Sequence, residues 1–429
     1  MTRIANRVAL AAGIALAVVA CGGSDDDAVT VAPVTITNTG TNAVSYWNEV
    51  ATTTINVPAA AGGTPEEARP NSSVDLATVH LAIYDAVMAI AKTHQPYATT
   101  PTSPADGASL DAATAAAAYG VLKGLFPNRT ASYQASYDSY LATLADGTAK
   151  SRGVALGAEV ATKTVALRAN DGRSIVLAAF VSGTQPGQFR TASNPVGREN
   201  ASIRPFLVAG NSQFRAPGPP AITSAAYAAD VNETKALGAA TSTTRTAEQT
   251  EIARFHTEPP PAFWPRNLRA FATSSTNVAD VARLMAMLYV TYADAQNSCF
   301  DSKYTFLFWR PFTSINLDGD GNAATTADPA WTPVVTTPNH PEYPAAHGCV
   351  SAAVAQVLSS YYGTGEVTFD FTSTVTGTTH HYANTTAFID EITIARIAGG
   401  MHLRTSLVDG ESLGKNVADW VTGHAFQKR

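Results

Sequence analysis

Charge is scarce in this chain. Of 429 residues only 14% are charged, 28 Lys and Arg against 34 Asp and Glu, where soluble domains carry about 25%. The deficit of basic residues excludes a nucleic-acid protein, because phosphate binding rests on clustered cations. Long apolar runs are missing too. The longest, Val8 to Ala20 with Gly13 counted in, has 13 residues, and a spanning helix needs about 20, so a polytopic membrane protein is excluded. There are only three cysteines, too few for a disulfide scaffold. What the chain does have is apolar content. At 45% hydrophobic it can bury a large core, and disorder as a whole is ruled out.

The one apolar run has the features of an export signal: Arg3 and Arg7 before it, small residues at its end. Val18-Val19-Ala20-Cys21 resembles a bacterial lipobox, which implies cleavage before Cys21 and lipidation of that residue. Residues 1–20 are then the signal peptide. Residues 21–42, polar and without helical period, are a flexible tether, and 43–429 form a single domain. The expected location is the cell envelope, with the lipid as the only membrane attachment. In an exported chain the remaining pair, Cys299 and Cys349, suggests one disulfide, with two buried thiols as the alternative.

From Ser73 onward the chain reads as helix. Leu76, Val79, Ile83, Ala86, Val87 and Ile90 recur at helical spacing. Similar Ala-rich patterns cover 109–126, 130–145, 150–170, 246–256, 261–274, 278–298, 301–314, 346–362, 385–400 and 405–425. The segment 172–230 is rich in Pro, Gly, Ser and Asn and predicts a long excursion over the helical body. Val367 to Phe371 and Thr374 to His381 predict one small β-hairpin around Thr376-Gly377. The expected fold class is all-α, a helix-bundle domain with long loops.

Six of the nine histidines lie at or after His340, and three segments there carry chemistry. In Lys303-Tyr-Thr-Phe-Leu-Phe-Trp-Arg310-Pro311 two cations are seven apart. If one helix runs through 301–314, both project from one apolar face, which makes sense if an anion sits between them. In His340-Pro-Glu-Tyr-Pro344-Ala345-Ala346-His347, a proline leads into an Ala-rich period. A helix opening there presents free N–H groups to an anion, with His347 in its first turn. In Ala395-Arg396-Ile-Ala-Gly399-Gly400-Met-His402, the glycines stop a helix and present His402 from a turn.

Together these segments resemble the active-site motifs shared by vanadium-dependent haloperoxidases and type 2 phosphatidic acid phosphatases: Lys, six residues, Arg-Pro; Pro-Ser-Gly-His; Ser-Arg, five residues, His. The charged positions, prolines, order and spacings match, across roughly residues 299–410. The resemblance implies that Lys303, Arg310 and Arg396 hold the oxygens of vanadate or phosphate, together with the backbone at Ala345 and Ala346. It implies that His402 binds vanadium or attacks phosphorus, and that His347 is the acid–base histidine. The chain departs from the pattern at Ala345-Ala346, which replace Ser-Gly, and at Ala395, which replaces Ser. Many members place an acid four residues after the last histidine; here that position is Ser406, and the next acid is Asp409.

The implied activity is oxidation of a halide by hydrogen peroxide, with vanadate as cofactor. The alternative is a phosphatase acting on phosphate monoesters or lipid phosphates without cofactor, and a non-catalytic surface lipoprotein is the second alternative. The soluble, helical character of the chain ranks haloperoxidase first. The resemblance also places His340 and Phe300 where halide choice is influenced. A histidine at the former position is found in algal bromoperoxidases, so bromide is favoured. If Lys303 and His347 line one site, Cys299 and Cys349 start close together. Asp318-Gly-Asp320-Gly-Asn322 lacks the glycine and glutamate a calcium loop needs, so a plain turn is expected. His380 and His381 point to opposite faces of a strand and cannot share a metal with each other.

Overall fold

The computed structural model describes residues 32–55, 72–317 and 319–429; the expected signal peptide and Cys21 lie outside them. The body, residues 33–429, is built around two long central helices, α2 (Ser72–Ala91) and α9 (Val278–Phe306). Helix α2 is long and apolar enough to cross a membrane, yet 83% of its most apolar stretch is buried inside the body. Its one histidine is held on one side only. The imidazole of His80 stacks on Tyr289 with ring centroids 4.7 Å apart and lies 3.0 Å from the Asn48 amide. Burial pushes its pKa down to about 3, so it is a neutral core histidine.

Around this pair sit α1 (Ala43–Ile55), α3 (Leu110–Leu125), α4 (Thr130–Ala142) and α5 (Thr148–Leu167) on one side. On the other are α11 (Ala346–Tyr362), α12 (Thr385–Ala398) and α13 (Arg404–His424). Small residues let the paired helices approach. A Cβ on Gly414 of α13 would lie 2.0 Å from the Cys349 carbonyl oxygen of α11, so any larger residue there would part the helices that frame the site. Shorter helices α6 (Ala225–Gly238), α7 (Ala247–Phe255), α8 (Pro260–Ala272) and α10 (Pro311–Asn316) complete the bundle.

The hairpin forms as β2 (Val367–Thr372) and β3 (Thr379–Tyr382), antiparallel, with Phe371 opposite His380. Alternate residues Val367, Phe369 and Phe371 are buried, as a one-sided strand requires. It gains a third, parallel member, β1 (Val34–Thr35), with Val34 N–H donating to Glu366 and Ile36 N–H to Thr368. The end of the expected tether is therefore strand-paired rather than loose. Helices α1 and α6 were not expected from periodicity; α1 buries Trp47 and Ile55 through a face that its threonine-rich tail obscures.

The excursion expected over 172–230 is cut short by α6, which begins at Ala225, and it has an anchor the composition does not show. The carboxylate of Asp294, on α9, accepts the N–H groups of Phe206 (2.7 Å), Leu207 (2.8 Å) and Val208 (3.2 Å). This ties the loop to the central helix, with burial pushing the Asp294 pKa up to about 6. Upstream, Gly197 (φ +78) packs so closely on Phe300 that a Cβ would meet its ring at 2.2 Å, which brings Val196 and Gly197 to the mouth of the site.

Candidate active site

The helix expected over 301–314 does not exist as one piece. Helix α9 ends at Phe306, Leu307 turns left-handed (φ 49°, ψ 42°), and α10 begins at Pro311. Arg310 is the extended residue between them (φ −81°, ψ 155°). The cause is Pro311, which disfavours α geometry in the residue before it and is well placed only at a helix start. Lys303 and Arg310 therefore do not share a helix face; the chain reversal between them brings them to one place. Lys303 Nζ donates to the carbonyls of Pro341 and Glu342, both at 2.9 Å. Arg310 donates from Nε to the His340 carbonyl (2.8 Å) and from Nη1 to the Met401 carbonyl (2.9 Å). Arg310 is thus also a brace between two of the motif segments, not a group waiting for an anion alone.

Arg396 ends α12 and is 2% exposed. Its Nη1 donates to the His256 carbonyl (3.1 Å), its Nη2 meets the Met401 sulfur (3.0 Å), and its Nε has no partner although buried. Burial and the neighbouring Arg310 hold the Lys303 pKa well below its ordinary value. Burial lowers Arg310 to about 10, and burial with Arg310 lowers Arg396 to about 9. Three cations crowded together with one unsatisfied donor are what an oxyanion would relieve.

His402 follows the glycine stop, Gly399 and Gly400, as expected. Its Nε2 lies 3.1 Å from Arg310 Nη1, which can only donate, so Nε2 holds a lone pair. Its Nδ1 lies 3.0 Å from Glu342 Oε1 and so carries the hydrogen. Glu342 also accepts from Leu403 N–H and the Ser406 hydroxyl, and is fully buried. The acid missing from position 406 is thus supplied in space by Glu342, with Ser406 bonded to it. Asp409 plays no such part; it accepts from the Tyr343 hydroxyl.

Helix α11 opens at Ala346 with Ala345 as its N-cap. The first closing bond is Cys349 N–H to Ala345, so the N–H groups of Ala346, His347 and Gly348 precede it. Ala345 itself is not an anion donor: its N–H is spent on the Ser406 carbonyl at 2.9 Å. His347 is partly buried and its ring hydrogen-bonds the His256 carbonyl. Burial first, then the adjacent cations, hold His347, His340 and His402 well below the ordinary histidine range. All three are neutral imidazoles in the ligand-free site. A halide is therefore not attracted by a protonated His340. The His340 ring instead sits 5.3 Å from the Phe300 ring, with Nδ1 2.9 Å from Arg310 Nη2.

These groups meet at one end of a cavity of about 300 Å³ lined by His256, His340, Ala346, His347, Arg396 and His402, with Trp264, Tyr292 and Phe300 among its apolar walls. Lys303 and Arg310 are buried outside this lining, with Arg310 in contact with His340 and His402. Cys299 of α9 and Cys349 of α11 are bonded, with Cα atoms 6.2 Å apart, and so join the helices that carry Lys303 and His347. Two residues of the site had no signal in the sequence: Glu342, which lies inside a motif without belonging to it, and His256, which is distant in the chain and acts through its carbonyl. The Asp320 loop is a turn, with Asp320 accepting from Asn322 N–H and the Thr325 hydroxyl.

The family described as the VCPO second helical-bundle domain matches residues 283–428. The vanadium chloroperoxidase of Curvularia inaequalis is 35% identical over 101 residues, which span 21% of this chain and 16% of that protein's length. Among solved structures, the first bacterial vanadium-dependent iodoperoxidase superposes with a TM-score of 0.70 at 23% identity, covering 90% of this chain and 96% of its own. The holo-type bacterial vanadium-dependent chloroperoxidase gives 0.64 at 18%, covering 89% and 97%. The body thus has the vanadium haloperoxidase fold, and its C-terminal third, residues 283–428, matches the VCPO second helical-bundle domain.

Proposed function

We propose that this protein is a haloperoxidase that holds vanadate and uses hydrogen peroxide to oxidise a halide. The observation that carries the reading is His402. Its tautomer is set by Glu342 so that a lone pair on Nε2 faces Arg310, beside a second buried guanidinium whose Nε has no partner. A tetrahedral oxyanion with a metal centre fits this donor set. Lys303, Arg310, Arg396 and the N–H groups opening α11 would take its oxygens, and His402 Nε2 its metal. Vanadate bound there supplies the Lewis acidity that activates peroxide.

The chain's own groups do the rest. The cations neutralise developing charge on oxygen. His347, neutral and oriented by the His256 carbonyl, accepts a proton from incoming peroxide and returns it to departing water. Bromide is the favoured halide, because His340 beside Phe300 offers an imidazole at the position where the resemblance implies one in bromoperoxidases; its role is hydrogen bonding, since burial and the neighbouring cations keep it neutral. The lone pair of His402 also suits attack on phosphorus, so phosphate-ester hydrolysis is the competing activity of the same site. Export and lipid attachment at Cys21 complete the reading and agree with a bonded Cys299–Cys349 pair.

The test is a panel of chloride, bromide and iodide with peroxide, with and without vanadate, beside hydrolysis of a phosphate monoester. Vanadate-dependent bromide oxidation is expected, lowered in His340→Ala. Ester hydrolysis without halide oxidation would replace the reading by the phosphatase one. The mass of the mature protein from membranes tests the lipid on Cys21.

A further inference from the structure

Behind the His256 carbonyl lies a second cluster that the proposed reaction does not use. His256 at the C-cap of α7, His380 on β3 and Glu391 on α12 come from three elements, and their ligand atoms all lie within 4.8 Å of one another. His256 Nε2 and His380 Nδ1 are each 2.8 Å from Glu391 Oε1. The Tyr382 hydroxyl donates to that same oxygen at 2.7 Å. One carboxylate oxygen thus faces three donors, one more than its lone pairs accommodate.

The outer contacts orient the set. His380 Nε2 is held by Glu251 Oε2 at 2.8 Å, which turns Nδ1 inward. The His380 ring also stacks on Phe255, centroids 3.7 Å apart at 16°. A histidine whose second nitrogen is bonded to a carboxylate while the first points at other donors has the arrangement found in metal sites.

We propose that His256, His380 and Glu391 bind one zinc ion, with Glu251 orienting His380 from behind. Two imidazoles and one carboxylate are the donor set zinc takes, leaving a fourth position for water or Tyr382; calcium and magnesium want oxygen ligands throughout. Around a tetrahedral ion with bonds of about 2.0–2.1 Å every pair of donors lies about 3.3 Å apart. The two nitrogens now 2.8 Å from Glu391 Oε1 would open to that distance, and the imidazole nitrogens, now within 4.8 Å of each other, would close to it. The ligand states are mostly ready. Burial and the neighbouring Arg396 keep His256 neutral. Glu391, against the pull of its own burial, is held ionised at about 2 by bonds from His256 and His380. His380 is charged between its two carboxylates, so the ion displaces its Nδ1 proton to solvent and binding releases one proton. Bound there, zinc fastens α7, the hairpin and α12 and fixes His256, whose carbonyl receives both Arg396 and the His347 ring.

The experiment is zinc titration of the chelator-stripped full chain by calorimetry, with elemental analysis and melting temperature. One zinc per chain and a raised melting temperature are expected, with affinity lowered at least a hundredfold in His380→Ala. His402→Ala, which disables the anion site, should bind zinc as the wild type does, so failure of the haloperoxidase reading leaves this result untouched. Should His380→Ala fail to fold, Glu251→Gln, which touches only the outer nitrogen, should weaken zinc about 10–100-fold. Folded wild type with no zinc uptake would overturn the proposal in favour of a hydrogen-bonded network alone, as would equal binding by a folded His380→Ala or by Glu251→Gln.

Discussion

Two histidine neighbourhoods meet at His256, and they have opposite electrical character. On one side His340, His347 and His402 stand among Lys303, Arg310 and Arg396, with Glu342 as the buried carboxylate bonded to His402. On the other, His380 stands between Glu251 and Glu391. Burial works against a charged imidazole in both places. In the first the neighbours add to that penalty, and the histidines are neutral with lone pairs to offer. In the second the carboxylates overcome it, and His380 is charged. The same residue type is thus neutral, with a lone pair to offer, in one place and doubly protonated in the other. Neighbour sign, rather than burial, separates the two.

The two places also differ in what holds them. The cation site has a covalent tie, Cys299–Cys349, across a separation of 50 residues; the carboxylate cluster is held by hydrogen bonds and ion pairs. Replacing both cysteines by serine should cost about 4 kcal/mol of stability in the loop-entropy model, read from urea unfolding. Hydrogen exchange should rise between α9 and α11 while the β3–α12 contact stays protected. Equal loosening of both regions would dissolve the contrast.

A sharper probe of the cation side is Arg396→Ala. Arg396 braces only the His256 carbonyl and the Met401 sulfur, unlike Arg310, whose loss strands two carbonyls. Vanadate-dependent turnover should fall about a hundred- to a thousandfold with a melting temperature close to that of the wild type. Unchanged turnover would remove Arg396 from the anion site.

Next in size is Glu342→Ala, which frees the His402 tautomer. The affinity for vanadate should fall about 10–100-fold, the usual effect of removing the group that orients a metal-bound histidine. Equilibrium dialysis measures this without reliance on turnover. Unaltered affinity would mean that Arg310 alone suffices to orient the ring.

The smallest effect is on the pH dependence of stability. Histidines with depressed folded values bind fewer protons in the native than in the unfolded state. Their neighbourhood therefore loses stability as pH falls below about 6.5, the unfolded value. His380, with a raised value, contributes stability that is present below that pH and lost as pH rises through its folded value. Thermal melts from pH 8 to 5 should show a net acid loss, since six histidines with depressed values, His80, His94 and His256 besides the three of the site, oppose His380. His380→Ala should steepen that loss, and a bound oxyanion, which counters the field of the cations, should flatten it. A flat wild-type profile would contradict the assigned charge states.

Much of the site was legible because the chemistry is written in residue types at short spacings. Lys303, Arg310, Arg396, His347 and His402 are separated within each segment by only a few residues, and anions demand cations wherever the chain goes. The presentation of His402 after two glycines and the opening of α11 behind Pro344 are local events, and the backbone decided them as local propensity suggests. Arg310 was legible as a cation but not in its position, because one proline outweighed a helical pattern that otherwise ran on. Glu342 and His256 were not legible as functional residues. The first stands in for an acid absent 64 positions away at Ser406, and the second acts through its main chain, which has the same chemistry at every residue.

What the sequence by itself determined, then, is the inventory: a helical body, a set of cations and histidines suited to a tetrahedral anion, and one pair of cysteines in reach of each other. Tertiary structure alone decided which nitrogen of His402 is free, that Ala345 spends its N–H on Ser406 rather than on a ligand, and that His380 joins His256 and Glu391 instead of its neighbour His381. The reason is physical. Residue type fixes which charges and donors exist, but proton position and ligand sets depend on distances of about 3 Å between groups far apart in the chain, and only the packed fold sets those.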